Sequence, residues 1–117
     1  MYYKTPLFDV AHASRKEENI ENEDEDTLIW DRSLYRWRQY GGKLTFVGHT
    51  PLMESPIYLS LDSPENLTYT NTYELPEVGV IDIDTACVYG GKLTAAEIDE
   101  NKNLKFTFVE SKQEKIV

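Results

Sequence analysis

His12 and His49 are the two histidines of this chain, and each closes a short apolar run: VAHAS holds the first and FVGHTP the second. A neutral imidazole ligates zinc, manganese or iron, and an apolar strand ending in one presents it at the tip of a sheet. Two such ligands fall short of the three or more protein groups that a catalytic metal site needs. The glycine is what strengthens the metal reading. Gly48, just before His49, lets another segment or a bound anion come close to the backbone, and Thr50-Pro51 turns the chain away at once. Other chemistries find no support: the sequence has no Ser-His-Asp set, no Walker loop and no Rossmann fingerprint, and Gly41-Gly42 and Gly90-Gly91 lack the spacing those motifs require. Cys87 is the single cysteine, so it forms no disulfide within the chain, and its neighbours Ala86 and Val88 mark it as a small buried apolar residue.

The elements that must carry these groups can be read from periodicity. Leu7-Phe8-Asp9-Val10-Ala11 is short and apolar, suited to a buried strand that ends at His12. Residues 27–40 place Trp30, Leu34 and Trp37 at helical spacing, which predicts the main helix with those residues facing the core. Asp24, Glu25 and Asp26 suit its positive end, Arg36 and Arg38 its negative end, and Gly41-Gly42 stops it. Residues 43–47 predict a strand ending in Gly48-His49. Residues 52–77 lack a sustained period and predict a long connection with room for a short hairpin. Residues 79–84 alternate Val80, Asp82 and Asp84 with Ile81 and Ile83, as expected for a strand with one polar and one apolar face. Residues 87–89, 92–98 and 104–109 add three strand-like pieces, which with turns at Gly90-Gly91 and residues 100–103 predict an antiparallel meander.

Charge narrows the classes of partner. The formal net charge is −9, and the run EENIENEDED at residues 17–26 holds seven acids and no base, leaving the rest of the chain close to neutral. So acidic a surface gains little from counterion release, which argues against nucleic acid as a ligand. The run itself reads most simply as a solvated loop. A length of 117 residues with 40% hydrophobic content suits one domain with one core. No stretch approaches the roughly 18 apolar residues of a membrane span, and no leader pattern precedes the first strand, so the expectation is a soluble cytoplasmic protein.

The order of these segments resembles the C-terminal half of the calcineurin-like metallophosphoesterases, most closely the lambda phage-type and bacterial serine/threonine phosphoprotein phosphatases. Four features carry the likeness: the strand ending in His12, the LxWxR-like stretch LIWDR, the GHTP of residues 48–51, and DTACVYGGKLTA at residues 84–95. The resemblance implies an α+β, partial metallophosphoesterase fold over residues 1–117, with a mixed or antiparallel sheet and one main helix. It implies His12 and His49 as ligands of the second metal of a dinuclear site, with manganese the metal. It implies Arg32 as the phosphate contact, a role that suits the planar guanidinium, although on sequence alone an ion pair with the nearby acids serves Arg32 equally well. Tyr89 would line the site, and Asp84 would form a structural turn. Ala86 stands where the family has glycine.

The larger departure is that GDxHG, GDxxDRG and GNHE, which in the family supply the first metal, the bridging aspartate, the asparagine and the acid histidine, are missing. In the family's mechanism two metals about 3.5–4 Å apart prepare a hydroxide for in-line attack on phosphorus. The expectation is therefore a fragment of a phosphoesterase, inactive alone, that hydrolyses a phosphoprotein or a small phosphate ester when an N-terminal half is supplied, that half being an upstream region, a separate product or one lost by truncation. The alternative is a non-catalytic interaction module that binds a partner or a second copy through an exposed half-core.

Overall fold

The computed structural model describes residues 2–12, 15, 18–30, 40–48, 55–61, 64–85 and 91–110. Among them strands dominate: β1 (Tyr2–Lys4), β2 (Asp9–Ala11), β3 (Thr45–Val47), β4 (Ile57–Leu59), β5 (Glu65–Asn66), β6 (Thr72–Glu74), β7 (Val80–Asp82), β8 (Lys92–Ile98) and β9 (Asn103–Glu110). They form two sheets. The larger has the order β1-β2-β3-β7-β4-β5, and the smaller has the order β6-β9-β8. In the larger sheet β2, β3 and β7 run parallel, while β1 on one side and β4 and β5 on the other pair antiparallel. The expected α+β class holds only in the coarse sense of mixed sheets with little helix. Helix α1 spans Glu25–Trp30, and residues 31–39 of the expected main helix, with Leu34 and Trp37, lie outside the described residues.

Side-chain alternation explains how the layers are glued. Successive strand residues point to opposite faces, so neighbours on one strand serve different cores. Ala11, Val47, Val80 and Leu59 pack with Ile20 and Leu28 on one face of the larger sheet. Leu44, Phe46 and Ile81 pack with Leu104 and Phe106 of the smaller sheet on the other face. Phe8 meets Phe46 edge-on, with ring centres 5.3 Å apart. Because both faces of the larger sheet are covered, β7 is buried at Val80, Ile81 and Asp82 alike. This corrects the half-polar strand read from its alternation: the polar face exists, but it is interior.

Further segments differ from or refine the sequence reading. The stretch at residues 52–77 contributes β4, β5 and β6, of which β4 and β5 form the short hairpin. Gly79 allows β7 to start: at φ 112° a Cβ there would lie 2.6 Å from the Leu59 carbonyl oxygen and the Tyr58 ring. The acidic run is not wholly solvated. It turns through a 3-10 segment, Ile20–Asn22, that buries Ile20, and Asp24 caps α1 by accepting the Thr27 N–H at 2.9 Å and the Thr27 hydroxyl at 3.0 Å. The C-terminal strands β8 and β9 pair from Lys92↔Glu110 to Ile98↔Leu104, as the alternation suggested. Their turn is held by Asp99, whose carboxylate accepts the N–H groups of Asn101 and Asn103. Among the described residues the third strand of that sheet is β6, drawn from the earlier connection; residues 87–89, the expected first strand of the meander, lie outside the described residues.

Candidate functional site at the strand tips

Parallel pairing decides which ends of the chain meet. Val10 of β2 lies opposite Phe46 of β3, and Phe46 lies opposite Ile81 of β7, so the C-terminal ends of three neighbouring strands finish at one edge. The ladder continues past the strands: the Gly48 N–H donates to the His12 carbonyl at 2.9 Å and the Ile83 N–H donates to the Val47 carbonyl at 3.0 Å. The exposed His12 and Gly48, the residue immediately before His49, are thereby side by side. A Cβ built on Gly48 would meet nothing within 4 Å, so the backbone at this point faces open space.

That space belongs to a groove of about 380 Å³ lined by Tyr2, Tyr3, Val10, Phe46 and Ile83 together with His12 and Gly48. Its lining is aromatic and aliphatic apart from the imidazole. Among the described residues no group of three or more His, Cys, Asp or Glu side chains is arranged to hold a metal. His12 is the one imidazole among the described residues lining this groove. His49, Arg32 and Tyr89, the other site residues expected from sequence, lie outside the described residues, as does Cys87.

The DTACVYGGKLTA stretch has a structural task at both described ends. Thr85 and Thr94 are buried with their hydroxyls 2.6 Å apart, Thr85 also donates to the Lys92 carbonyl, and Tyr69 reaches Thr94 at 2.8 Å. This clasp ties the end of the larger sheet to the start of β8. Just before it, Asp82 accepts the Asp84 backbone N–H on Oδ1 at 2.9 Å. The turn expected of Asp84 is thus closed by the carboxylate of Asp82.

Asp82 is the feature that sequence reasoning undervalued. It is 0% exposed, and its Oδ2 has no hydrogen-bond partner among the described residues. Burial raises its pKa from 3.8 to about 7, the Asp84 N–H lowers it, and the neighbouring Asp84 charge raises it further. The available signal was an acid set between Ile81 and Ile83 in a run too apolar to belong to a surface strand.

A second polar cluster sits at the start of β2. Asp9, buried, accepts from Arg15 on Oδ2 at 2.5 Å and from Lys43 on Oδ1 at 2.8 Å. Arg15 is itself 1% exposed and also donates to the Glu18 carbonyl at 2.6 Å and the Thr45 hydroxyl at 3.4 Å. An acid in the middle of LFDVA demanded a buried cation, but nothing local said which one.

In comparison with known proteins, no family model, curated protein or solved structure matches the chain. Among the described residues no helix is long and apolar enough to cross a membrane.

Proposed function

We propose that this chain is one half of a metal-dependent phosphoesterase of the calcineurin-like type, acting on phosphoprotein or small phosphate monoesters once the missing metal motifs are supplied by another region or polypeptide. One observation carries the reading: the Gly48 N–H bonds to the His12 carbonyl, so two segments 36 residues apart in sequence, each built around a histidine, run out at the same sheet edge. The two-histidine ligand pair needs that convergence, and an arrangement with β2 and β3 antiparallel would have excluded it. Manganese is the metal implied, held by His12 and His49, with Arg32 contacting the phosphate and Tyr89 lining the site. When bound, the metal would polarise the phosphate ester and lower the pKa of water. The chain's own described residues contribute a sheet edge backed by the interior, an open backbone at Gly48, and an apolar groove beside that edge.

The test is a manganese titration of the 117-residue chain followed by the paramagnetic broadening of its two histidine ring signals, with His12→Ala and His49→Ala in parallel. The reading expects both rings to broaden together and each substitution to weaken broadening at the remaining ring. Rings that stay sharp, or that broaden independently, refute it. Hydrolysis of an aryl phosphate by the chain alone is expected to be absent.

The alternative, a non-catalytic interaction module, draws on a different observation. Among the described residues strand β1 pairs only with β2, and its Tyr2 and Tyr3, which line the groove, are 46% and 64% exposed. Sedimentation that shows concentration-dependent association, unchanged by manganese, would favour this module over the metal site.

A further inference from the structure

We propose that the outer edge of β1 and the groove beside it take an extended segment of another polypeptide in which apolar and basic residues alternate. The β1–β2 hairpin fixes which backbone groups are on offer. The Thr5 N–H donates to the Phe8 carbonyl at 2.9 Å, and the same register sets Tyr3 opposite Val10 and Lys4 opposite Asp9. An antiparallel ladder bonds alternate pairs, so the N–H and C=O of Tyr3 turn inward to β2 while those of Tyr2 and Lys4 turn outward. Asp9, opposite Lys4, accordingly donates away from β1, to the Leu44 carbonyl at 2.9 Å. Tyr2, Tyr3 and Lys4 are all exposed, and among the described residues no further strand lies along this edge. Both backbone groups of Tyr2 and of Lys4 are thus presented to an added strand.

The two faces of that edge select the occupant, because side chains of an added strand continue the alternation of β1. On the face of Tyr3 they lie beside the groove, where Val10, Phe46 and Ile83 offer apolar contact and the backbone at Gly48 leaves space. On the face of Tyr2 and Lys4 they lie beside the 3-10 segment: the Lys4 ammonium is 3.7 Å from the Glu21 carboxylate and 3.3 Å from Asn19 Oδ1. That segment belongs to the run at residues 17–26, with seven acids and no base, in which Glu18, Glu21, Asp24 and Glu25 are exposed. Lys4 is a single charge against this excess. An apolar side chain is therefore favoured on one face and a cation on the other, the period of two that a strand supplies. A second copy paired along β1 would instead bring two acidic runs to the same face. The proposal deepens the interaction-module reading and needs no metal at the strand tips.

The experiment titrates the 117-residue chain, with a chelator present, against a hexapeptide alternating leucine and arginine. One control alternates leucine and glutamate, and another holds the same leucines and arginines in two blocks. The alternating leucine–arginine peptide is expected to bind about tenfold more tightly than either control. It is also expected to slow hydrogen exchange at the Tyr2 and Lys4 amides about tenfold, with little change at Tyr3, whose N–H is already bonded to β2. Gly48→Leu, at a position where a Cβ meets nothing within 4 Å, fills the groove and is expected to weaken binding about tenfold. Lys4→Pro removes an outward N–H and no β1–β2 bond, so it is expected to bind about fivefold more weakly than Lys4→Ala, which lacks the same charge. No binding, equal binding of either control, or parent-like affinity in Gly48→Leu would overturn the proposal, as would equal affinity in the two Lys4 variants. If Lys4→Pro does not fold, exchange at the Tyr2 and Lys4 amides decides, and unchanged exchange there overturns it. Sedimentation showing that the chain alone associates through those amides would keep the interaction module and overturn the basic partner.

Discussion

Replacing Asp82 with Asn tests the interior of the larger sheet directly. Asp82 is fully buried on a central strand, between Val47 on β3 and Ile57 on β4, and only Oδ1 is hydrogen-bonded among the described residues. Its carboxyl binds a proton more tightly in the folded chain, because its pKa rises from 3.8 to about 7. The contribution of this group is therefore at its best below pH 3.8, is lost as pH rises, and levels off above about 7. The whole rise corresponds to about 4 kcal/mol, of which roughly 2.5 kcal/mol falls between pH 5 and pH 8. Asn keeps an oxygen for the Asp84 N–H and cannot ionise, but it buries an amide donor where no acceptor is described, at a cost of about 1–3 kcal/mol that does not vary with pH. Urea unfolding at pH 5, 6, 7 and 8 should then show the variant gaining on the parent by about 2.5 kcal/mol across the series. Asp99, the other carboxyl with a shifted pKa among the described residues, is moved downward by its bonds to Asn103 and Asn101 and so titrates below this window. Parallel curves for parent and variant would refute the argument, because they would mean that the Asp82 carboxyl is solvated or paired in the folded chain.

Other substitutions probe separate parts of the account. Gly79→Ala places a methyl 2.6 Å from the Leu59 carbonyl oxygen at a φ of 112°, and it should lower stability by more than about 1 kcal/mol in thermal or urea melts; an unchanged midpoint would show that β7 can start elsewhere. Phe106→Ala removes a ring buried between the sheets, at an expected cost of about 3–5 kcal/mol, and a loss under about 1 kcal/mol would mean that the two sheets are not packed through it. His12→Ala removes an exposed side chain, so its melting should stay within about 0.5 kcal/mol of the parent while manganese affinity falls; a large drop in stability would assign His12 to structure.

Local pattern was enough for much of the architecture. The apolar run before His12, the segment before Gly48, the alternation around Ile81 and the long pair at residues 92–98 and 104–109 each form strands, because a period of two in apolar side chains is a property of a few consecutive residues. So was the placement of Asp24 at the start of a helix, since a cap satisfies donors only three residues away.

Decisions made over long separations were not legible. That β2 and β3 run parallel, bringing His12 beside Gly48, depends on a crossover whose direction no local pattern encodes. That Asp82 is interior follows from having cover on both faces of the larger sheet, one supplied by Ile20 and Leu28 and the other by β6, β8 and β9. That Asp9 is shared by Arg15 and Lys43 depends on one neighbour six residues ahead and another across a strand pair. Periodicity records which residues avoid water, and only the packed sheets decide which buried charge meets which, because that choice is made by partners that become neighbours only after the chain has folded.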